Sequence, residues 1–541
     1  MSCPAPHLFE GPALAEAIPD LSLPAFIRAR ARSFADEIAL YDLSTRQQIT
    51  YRTLDQWIGR CAAGWAALGM KPGDVVVMLA PNILEWPIAA LGAMAVGGVV
   101  SGVNPGYTVD DLVRQMRDAQ ARFVFTVPSL LGAVREAEVL LGGFKIVVLG
   151  EAAGCIDFAV LMTRGDDEPP IVVEPEAMAA LPYSSGTTGL PKGVMLSHRA
   201  LVANACQYTQ VWPTPPGSVL LAFLPMFHIT GFTIVTLCGL ATGAKVVMLP
   251  SFETQSFLQA MADHRVTHLN TVPPIMQLLA FHPLVDAYDL SALQMVGCGA
   301  APLGSQLEQK VAKRLKCQVG QGFGMTESSG CITVTPPHQI RPGSSGCPLP
   351  GTQIRVLDTQ SAASAEPGTA GELWFRGPQA FSGYWKQPEA TREGLSSDGW
   401  VRTGDVGFFD SEGYLYITDR LKELIKVKGF QVAPAELEAL LVVHPAVLDA
   451  AVIGRPDERS GELPVAYVVT KGAQDIAQLP QQILAWMETR VPTHKRLGEV
   501  VLCEAIPKTA AGKILRQSLR ARDAQRVMAI RAAEANSSPA L

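Results

Sequence analysis

The segment Tyr183-Ser184-Ser185-Gly186-Thr187-Thr188-Gly189-Leu190-Pro191-Lys192-Gly193 packs small hydroxyls and glycines ahead of a lysine. Glycines let backbone N–H groups approach phosphate oxygens closely, and the hydroxyls and the Lys192 ammonium add further donors. Each hydrogen bond to a charged group contributes about 1.5–3 kcal/mol, so such a loop suits a polyphosphate. It is not a Walker A loop, because Gly193 follows the lysine and the glycine spacing differs. A second run, Gln321-Gly322-Phe323-Gly324-Met325-Thr326-Glu327, sets an aromatic between glycines, where it can stack on a flat base. Thr326 and Glu327 then offer a hydroxyl for phosphate and a carboxylate for a hard cation. Taken alone, those seven residues equally describe a glycine-rich turn with a surface carboxylate. In Trp400-Val401-Arg402-Thr403-Gly404-Asp405, the aspartate after a tight glycine turn can accept both hydroxyls of a ribose. His228 lies in the apolar run Leu224-Pro225-Met226-Phe227-His228, and a lone histidine there is more often a satisfied core residue. His264 and His268 are four apart with no third ligand in view, so they are read as a non-metal pair. No GxSxG occurs, which removes a nucleophile-elbow esterase.

In this order, the motifs resemble those of the adenylate-forming superfamily: acyl-CoA synthetases, 4-coumarate–CoA ligases, firefly luciferase and peptide-synthetase adenylation domains. The resemblance spans about residues 20–520. It implies ATP contacts from Ser184, Ser185, Gly186, Thr187, Thr188, Gly189 and Lys192, and a nucleotide site completed by Gln321 and Gly322. Phe323, usually Tyr in the family, would stack on adenine, Thr326 would meet the α-phosphate, and Glu327 would help hold Mg2+. Asp405 and Arg420 resemble the ribose contacts. Leu421 to Gln431 resembles the family hinge, with Lys422 as its pivot and with Lys428 and Gly429 on the face that lines the coenzyme A channel. Pro507 to Leu515 resembles the C-terminal catalytic loop, and Lys513 would bridge the attacking carboxylate and the α-phosphate. A positioned ammonium there stabilises the charge that develops as pyrophosphate leaves. His228 resembles the catalytic histidine at the mouth of the acyl pocket.

The activity so implied is that of an ATP-dependent acid–thiol ligase. A small-molecule carboxylic acid becomes an acyl-adenylate, and the acyl group then passes to coenzyme A while the small domain exchanges faces. Delivery to a carrier-protein phosphopantetheine is the alternative acceptor, and a non-catalytic nucleotide-binding regulator is the alternative class. The presence of Lys513, Asp405, Arg420 and Glu327 speaks against the regulator. The resemblance is closest to the 4-coumarate–CoA ligase-like branch, through Glu423 to Glu438 (ELIKVKGFQVAPAELE). Two implied pocket positions depart from the plant hydroxycinnamate enzymes: Thr230 stands for a tyrosine and Gly297 for a lysine. Both family residues serve the phenolic hydroxyl, and a buried hydroxyl needs a partner. With Phe232, Ile234, Met295, Gly299 and Ala300 around them, these positions suggest a hydrophobic alkyl or aryl acid.

These residues require a scaffold that carries them across most of the chain. At 541 residues the chain exceeds one core, which stops growing near about 250–300 residues. Strand patterns at Asp74–Leu79, Phe123–Val127 and Lys145–Leu149 alternate with helix patterns at Leu54–Leu68 and Val109–Ala119, the latter opened by Thr108. A second such run covers Leu220 to Val319. Alternation of this kind predicts an α/β fold with mainly parallel sheets. Short glycine-punctuated strands at Gln353–Leu357, Gly371–Arg376 and Tyr414–Thr418 predict a small β-rich subdomain over about 340–420, closing a large N-terminal domain of residues 1–420. Helices at Pro434–Val443 and Leu479–Arg490 with strands at Asp449–Ile453 and Pro464–Val469 predict a small mobile α+β C-terminal domain, 421–523. The remainder, 524–541, is expected to be a frayed tail.

Composition narrows the classes. Apolar residues make up 48% and the net charge is −6, so there is no basic face for nucleic acid. Ten scattered cysteines without a CxxC pair suit reduced thiols and a cytoplasmic setting. Trp86–Val109 and Ser218–Ala244 lack charges, but prolines and glycines interrupt them and no Lys/Arg cluster flanks them, so they are read as core and not as membrane spans. Oligomeric state is not encoded in any pattern found.

Overall fold

The computed structural model of the chain describes residues 7–164, 171–184, 191–359, 361–428, 430–457, 459–472, 477–508 and 513–537, with side chains through Ile530. Two large sheets, one five-stranded antiparallel sheet and a fourth sheet near the C-terminus carry the architecture. This is the mixed α/β fold expected, with a large N-terminal domain and a smaller C-terminal one.

The first large sheet is built on Val75–Leu79, in which every residue is buried. Val99–Gly102 and Ala121–Thr126 flank it in parallel, and Lys145–Val148 follows outward. A β-branched run buried on both faces is what a parallel sheet covered by helices requires. The connecting helix Val109–Ala119 shows why its limits were predictable. The Thr108 side chain accepts from the Asp111 N–H, Asp110 and Asp111 occupy the first turn, and Gln120 ends the helix in the left-handed region. At its far side this sheet turns antiparallel through Lys192–Ser197, which pairs with Tyr183–Ser184 and with Gly383–Tyr384.

The second large sheet runs parallel through Ile38–Asp42, Lys245–Met248, Val219–Ala222, His268–Thr271, Met295–Cys298 and Gln318–Phe323. Registers Thr271↔Cys298 and Cys298↔Gln321 align the carboxyl ends of its last three strands. Open parallel sheets bind ligands at those ends. The antiparallel sheet comprises Gln353–Leu357, Gly371–Arg376, Val401–Phe409 and Leu415–Arg420, and also Leu8–Glu10. The sequence pattern missed this first strand, because three residues with one half-buried position give no periodicity. Its Phe9 ring stacks on Phe409 with centroids 4.0 Å apart.

The fourth sheet, with Val447–Asp457 and Gly461–Thr470 at its centre, encloses its own core of Leu437, Val452, Ala466, Ile483 and Met487. Its hairpin is longer than the two five- and six-residue strands expected there, since pairing continues past the apolar run to Asp457↔Gly461. The Ala435 N–H donates to Asp419 Oδ2 at 2.8 Å, joining this unit to the last strand of the antiparallel sheet. The expected frayed tail from 524 is corrected: helix Arg516–Ser537 runs through it. Asp523 anchors that helix through Arg455 at 2.6 Å and Tyr467 at 2.7 Å, contacts formed between distant segments. No described helix is long and apolar enough to cross a membrane. The nine described cysteines are unpaired.

Candidate active site

Four elements bring charge into one cleft. Asp405, on Val401–Phe409, lies opposite Arg420 on Leu415–Arg420, with Arg420 Nε 3.4 Å from Asp405 Oδ1. Gly404 is in the left-handed region at φ 70°, and the Asp405 N–H donates to Thr403 Oγ1 at 3.0 Å, so the turn is fixed before the carboxylate. Burial pushes the Asp405 carboxyl up, and Arg420 and Lys513 pull it back. Lys513 reaches the same place from the small domain. Burial, and then Arg420, bring its ammonium down to about 8, while Asp405 and Glu423 oppose that shift. His228 is brought down to about 4, first by burial and then by the nearby Lys513 charge, so its imidazole is neutral at ordinary pH. Its Nδ1 accepts from the Thr230 N–H at 3.3 Å, which leaves Nε2 as the N–H-bearing nitrogen. His228 and Thr326 line a common cavity with Tyr183, Asn104 and Gln115.

Glu327 is 5% exposed in the short turn Thr326–Ser328. Ser184 Oγ donates to its Oε1 at 3.1 Å, and Tyr384 Oη donates to the same oxygen at 2.8 Å. Among the described residues no donor reaches Oε2. A carboxylate with one oxygen saturated and the other open suits a cation carried chiefly by substrate phosphates and water, which is how magnesium is usually held. Burial and the Glu327 charge push the Tyr384 phenol up, so it stays a donor. The Lys192 ammonium lies 5.1 Å above the Tyr384 ring. Tyr384 was not found in the sequence. It stands in an unremarkable Ser-Gly-Tyr-Trp run, and its role depends on Gly383–Tyr384 pairing with Val194 and Met195 nearly two hundred positions earlier. The one usable signal was Gly383, whose φ of 138° only glycine adopts readily.

The adenine-side expectations divide. Phe323 is half-buried between Gly322 and Gly324, and a Cβ on Gly324 would lie 2.1 Å from the Gly330 carbonyl oxygen. A Cβ on Gly322 would meet the Thr333 carbonyl oxygen at 3.1 Å, a tight contact. The Gln321 side chain is already committed. Its Oε1 accepts from the Leu303 N–H at 2.9 Å, and its Nε2 donates to the Leu303 carbonyl at 3.0 Å and to buried Glu308 at 2.8 Å. That amide therefore pins the loop containing Ala300, which holds a left-handed φ of 70°, and its side chain is not free for a nucleotide. Ser185, Gly186, Thr187, Thr188 and Gly189 lie outside the described residues, as does Gly429. Lys422 is exposed in the turn between the antiparallel sheet and strand Ile425–Val427. Lys428 follows that strand at φ 49°, with its N–H donating to the Ser460 carbonyl at 2.7 Å, on the far unit and not among the cleft charges.

On the acyl side, Thr230 opens a wide π-type helix, Thr230–Leu237. The Phe232 ring is 4% exposed and packs against Trp86 at 5.2 Å, so it backs the wall of that helix. Gly297 and Gly299 are half-exposed although they belong to or adjoin a central strand. His264 and His268 diverge: His264 packs on Tyr41, whereas His268 bonds to Thr267 and Pro213.

Residues 27–385 match the AMP-binding enzyme family, and residues 436–513 match the AMP-binding enzyme C-terminal domain. A 4-coumarate–CoA ligase from Narcissus pseudonarcissus is 39% identical over 93% of this chain and 94% of its own length. One from Petroselinum crispum is 37% identical, over 93% and 96%. The ATP-bound structure of MatB from Rhodopseudomonas palustris is 29% identical with a TM-score of 0.83, covering 93% of this chain and 99% of that one. With both family matches in order along one chain, and relatives aligned over nearly their full length, the chain belongs to the AMP-binding enzymes of the adenylate-forming superfamily, in the 4-coumarate–CoA ligase-like branch.

Proposed function

We propose that this chain is an AMP-forming acid–thiol ligase that adenylates a hydrophobic alkyl or aryl carboxylic acid with ATP and transfers the acyl group to coenzyme A in the cytoplasm. The observation that carries this reading is the convergence of Lys513, Arg420, Asp405, Glu327 and His228 on one cleft, with Lys513 supplied by the small domain. In the first half-reaction a carboxylate oxygen attacks the α-phosphorus and pyrophosphate leaves. Lys513 offsets the charge that grows on the α-phosphate oxygens, and Thr326 gives it a hydroxyl. Asp405 accepts the ribose hydroxyls, Phe323 stacks on the base, and the hydroxyl loop through Lys192 holds the outer phosphates. Glu327 would hold Mg2+ through Oε2, and the bound ion would neutralise phosphate charge. Neutral His228 lies beside the acyl carbon without adding charge.

In the second half-reaction a thiol sulfur attacks the acyl carbon, the acyl–phosphate bond breaks and AMP leaves. Lys513 must withdraw for the thiol to enter. A rotation about Lys422 that brings Lys428 and Gly429 to the cleft provides that exchange. Free coenzyme A is the acceptor favoured, in keeping with the names of the curated relatives. The test is mass spectrometry of products after incubation with Mg-ATP, coenzyme A and a panel of alkyl, benzoic, cinnamic and hydroxycinnamic acids. Acyl-CoA with AMP is the expected outcome. Acyl-AMP without thioester would move the acceptor to a carrier protein, and neither product would overturn the reading.

A further inference from the structure

Beside Gly297 lies a buried polar pair. Tyr208, 4% exposed on helix His198–Val211, donates its hydroxyl to Asn270 Oδ1 at 2.9 Å. Asn270 is 8% exposed, in the middle of strand His268–Thr271, whose neighbour in the sheet is Met295–Cys298. The register pairs Asn270 directly with Gly297. A Cβ on Gly297 would fall 2.8 Å from Asn270 Oδ1 and 3.7 Å from the Trp212 ring. Gly297 is therefore the residue whose lack of a side chain makes room for the Asn270 amide.

Since Tyr208 holds Oδ1, the amide orientation is set and Nδ2 is the free end. Among the described residues Nδ2 has no hydrogen-bond partner. A donor left open in this way is available to a bound oxygen. Apolar side chains lie beside it: the Trp212 ring, near Gly297, is 2% exposed, and Met295, two residues before Gly297 on the same strand, is 7% exposed. One donor amid apolar walls is the arrangement that orients a largely hydrophobic ligand by a single polar group.

We propose that Asn270, oriented by Tyr208, is a specificity-determining residue that donates to a hydrogen-bond-accepting oxygen at the distal end of the acid, so that the acid is hydrophobic in its body and oxygenated at its tip. This rests on the acid–thiol ligase reading above and narrows its substrate class. The Thr230 and Gly297 departures remove two polar side chains from the pocket, and Asn270 supplies one from a neighbouring strand.

The experiment compares kcat/KM for adenylation across matched pairs: cinnamic with 4-hydroxycinnamic acid, and octanoic acid with its terminal hydroxy counterpart. A site built to hydrogen-bond an oxygen rejects the analogue lacking it strongly, so the wild-type enzyme should favour the oxygenated member of at least one pair by about 10²-fold or more. Asn270→Leu should abolish or reverse that ratio. Tyr208→Phe, which frees the amide to rotate, should reduce it about tenfold. Gly297→Ala should also reduce it, by displacing the amide. Preference for the deoxygenated member in every pair, or an unchanged ratio in both Asn270→Leu and Tyr208→Phe, overturns the proposal. If Asn270→Leu fails to fold, the Tyr208→Phe ratio decides. Absence of pyrophosphate release with every acid would overturn the ligase reading itself, whereas release without discrimination overturns only this inference.

Discussion

The nucleotide end and the acyl end of the cleft are built on different plans. At the nucleotide end, charged groups sit in short contiguous motifs and are held by direct bonds: Arg420 to Asp405, and Ser184 and Tyr384 to Glu327. At the proposed acyl end the feature is an absent side chain at Gly297, beside which lie Asn270, bonded to Tyr208, and Trp212, from separate elements. Charge chemistry tolerates little variation in residue type, so it repeats in recognisable strings. Shape can be met by many combinations, so it leaves no string behind. In the proposed reaction one end sets the chemistry and the other selects the acid.

The comparison can be broken most directly at Lys513. Lys513→Ala should lower pyrophosphate release by about 10²-fold or more, while thioester formation from supplied acyl-adenylate is largely kept. Equal loss in both half-reactions would mean that Lys513 is not specific to the nucleotide step. A second test uses its proton. The folded-state value is depressed to about 8, so the ammonium is present below that pH and is lost as pH rises through it. For the free enzyme, kcat/KM for ATP should then fall above about pH 8, approaching tenfold per pH unit. A profile flat to pH 10 in the wild-type protein would remove the charge from its assigned task.

Tyr384→Phe should raise the Mg2+ concentration for half-maximal adenylation by about tenfold, the loss of one hydrogen bond to a charged group. In a Glu327→Gln background the same change should add little, because the pair acts as a unit. Mn2+ binding read by spin resonance in the presence of a non-hydrolysable ATP analogue gives the same comparison without turnover. Additive losses would show Tyr384 acting elsewhere. The smallest effect belongs to the acyl end. Burial holds His228 near 4, so adenylation should show no inflection that His228→Asn removes between about pH 5 and 7.

Sequence reading succeeded where local physics decides. Thr108 capping its helix, the buried valines of Val75–Leu79 and the limits of Gln353–Leu357 and Gly371–Arg376 all depend on nearby residues. It failed where pairing is distant. Tyr384 gains its meaning from Glu327, and Asn270 from Gly297 across a sheet register. Gln321 shows a contact that the motif does not reveal. Its place in a nucleotide motif suggested a ligand contact, yet its amide is spent on Leu303 and Glu308. The terminal helix escaped notice for a related reason: Asp523 is held by Arg455 and Tyr467, not by the polar residues around it.

The strand Leu8–Glu10 has a consequence for how the protein is made. Its partner Gln353–Leu357 is synthesised hundreds of residues after it, and Phe409, on which Phe9 stacks, later still. At about 5–20 residues per second the wait is on the order of tens of seconds. During that time an unpaired edge is open to other chains. Deleting Leu8–Glu10, or breaking its pairing with Phe9→Asp, should therefore cost yield and solubility before it costs catalysis.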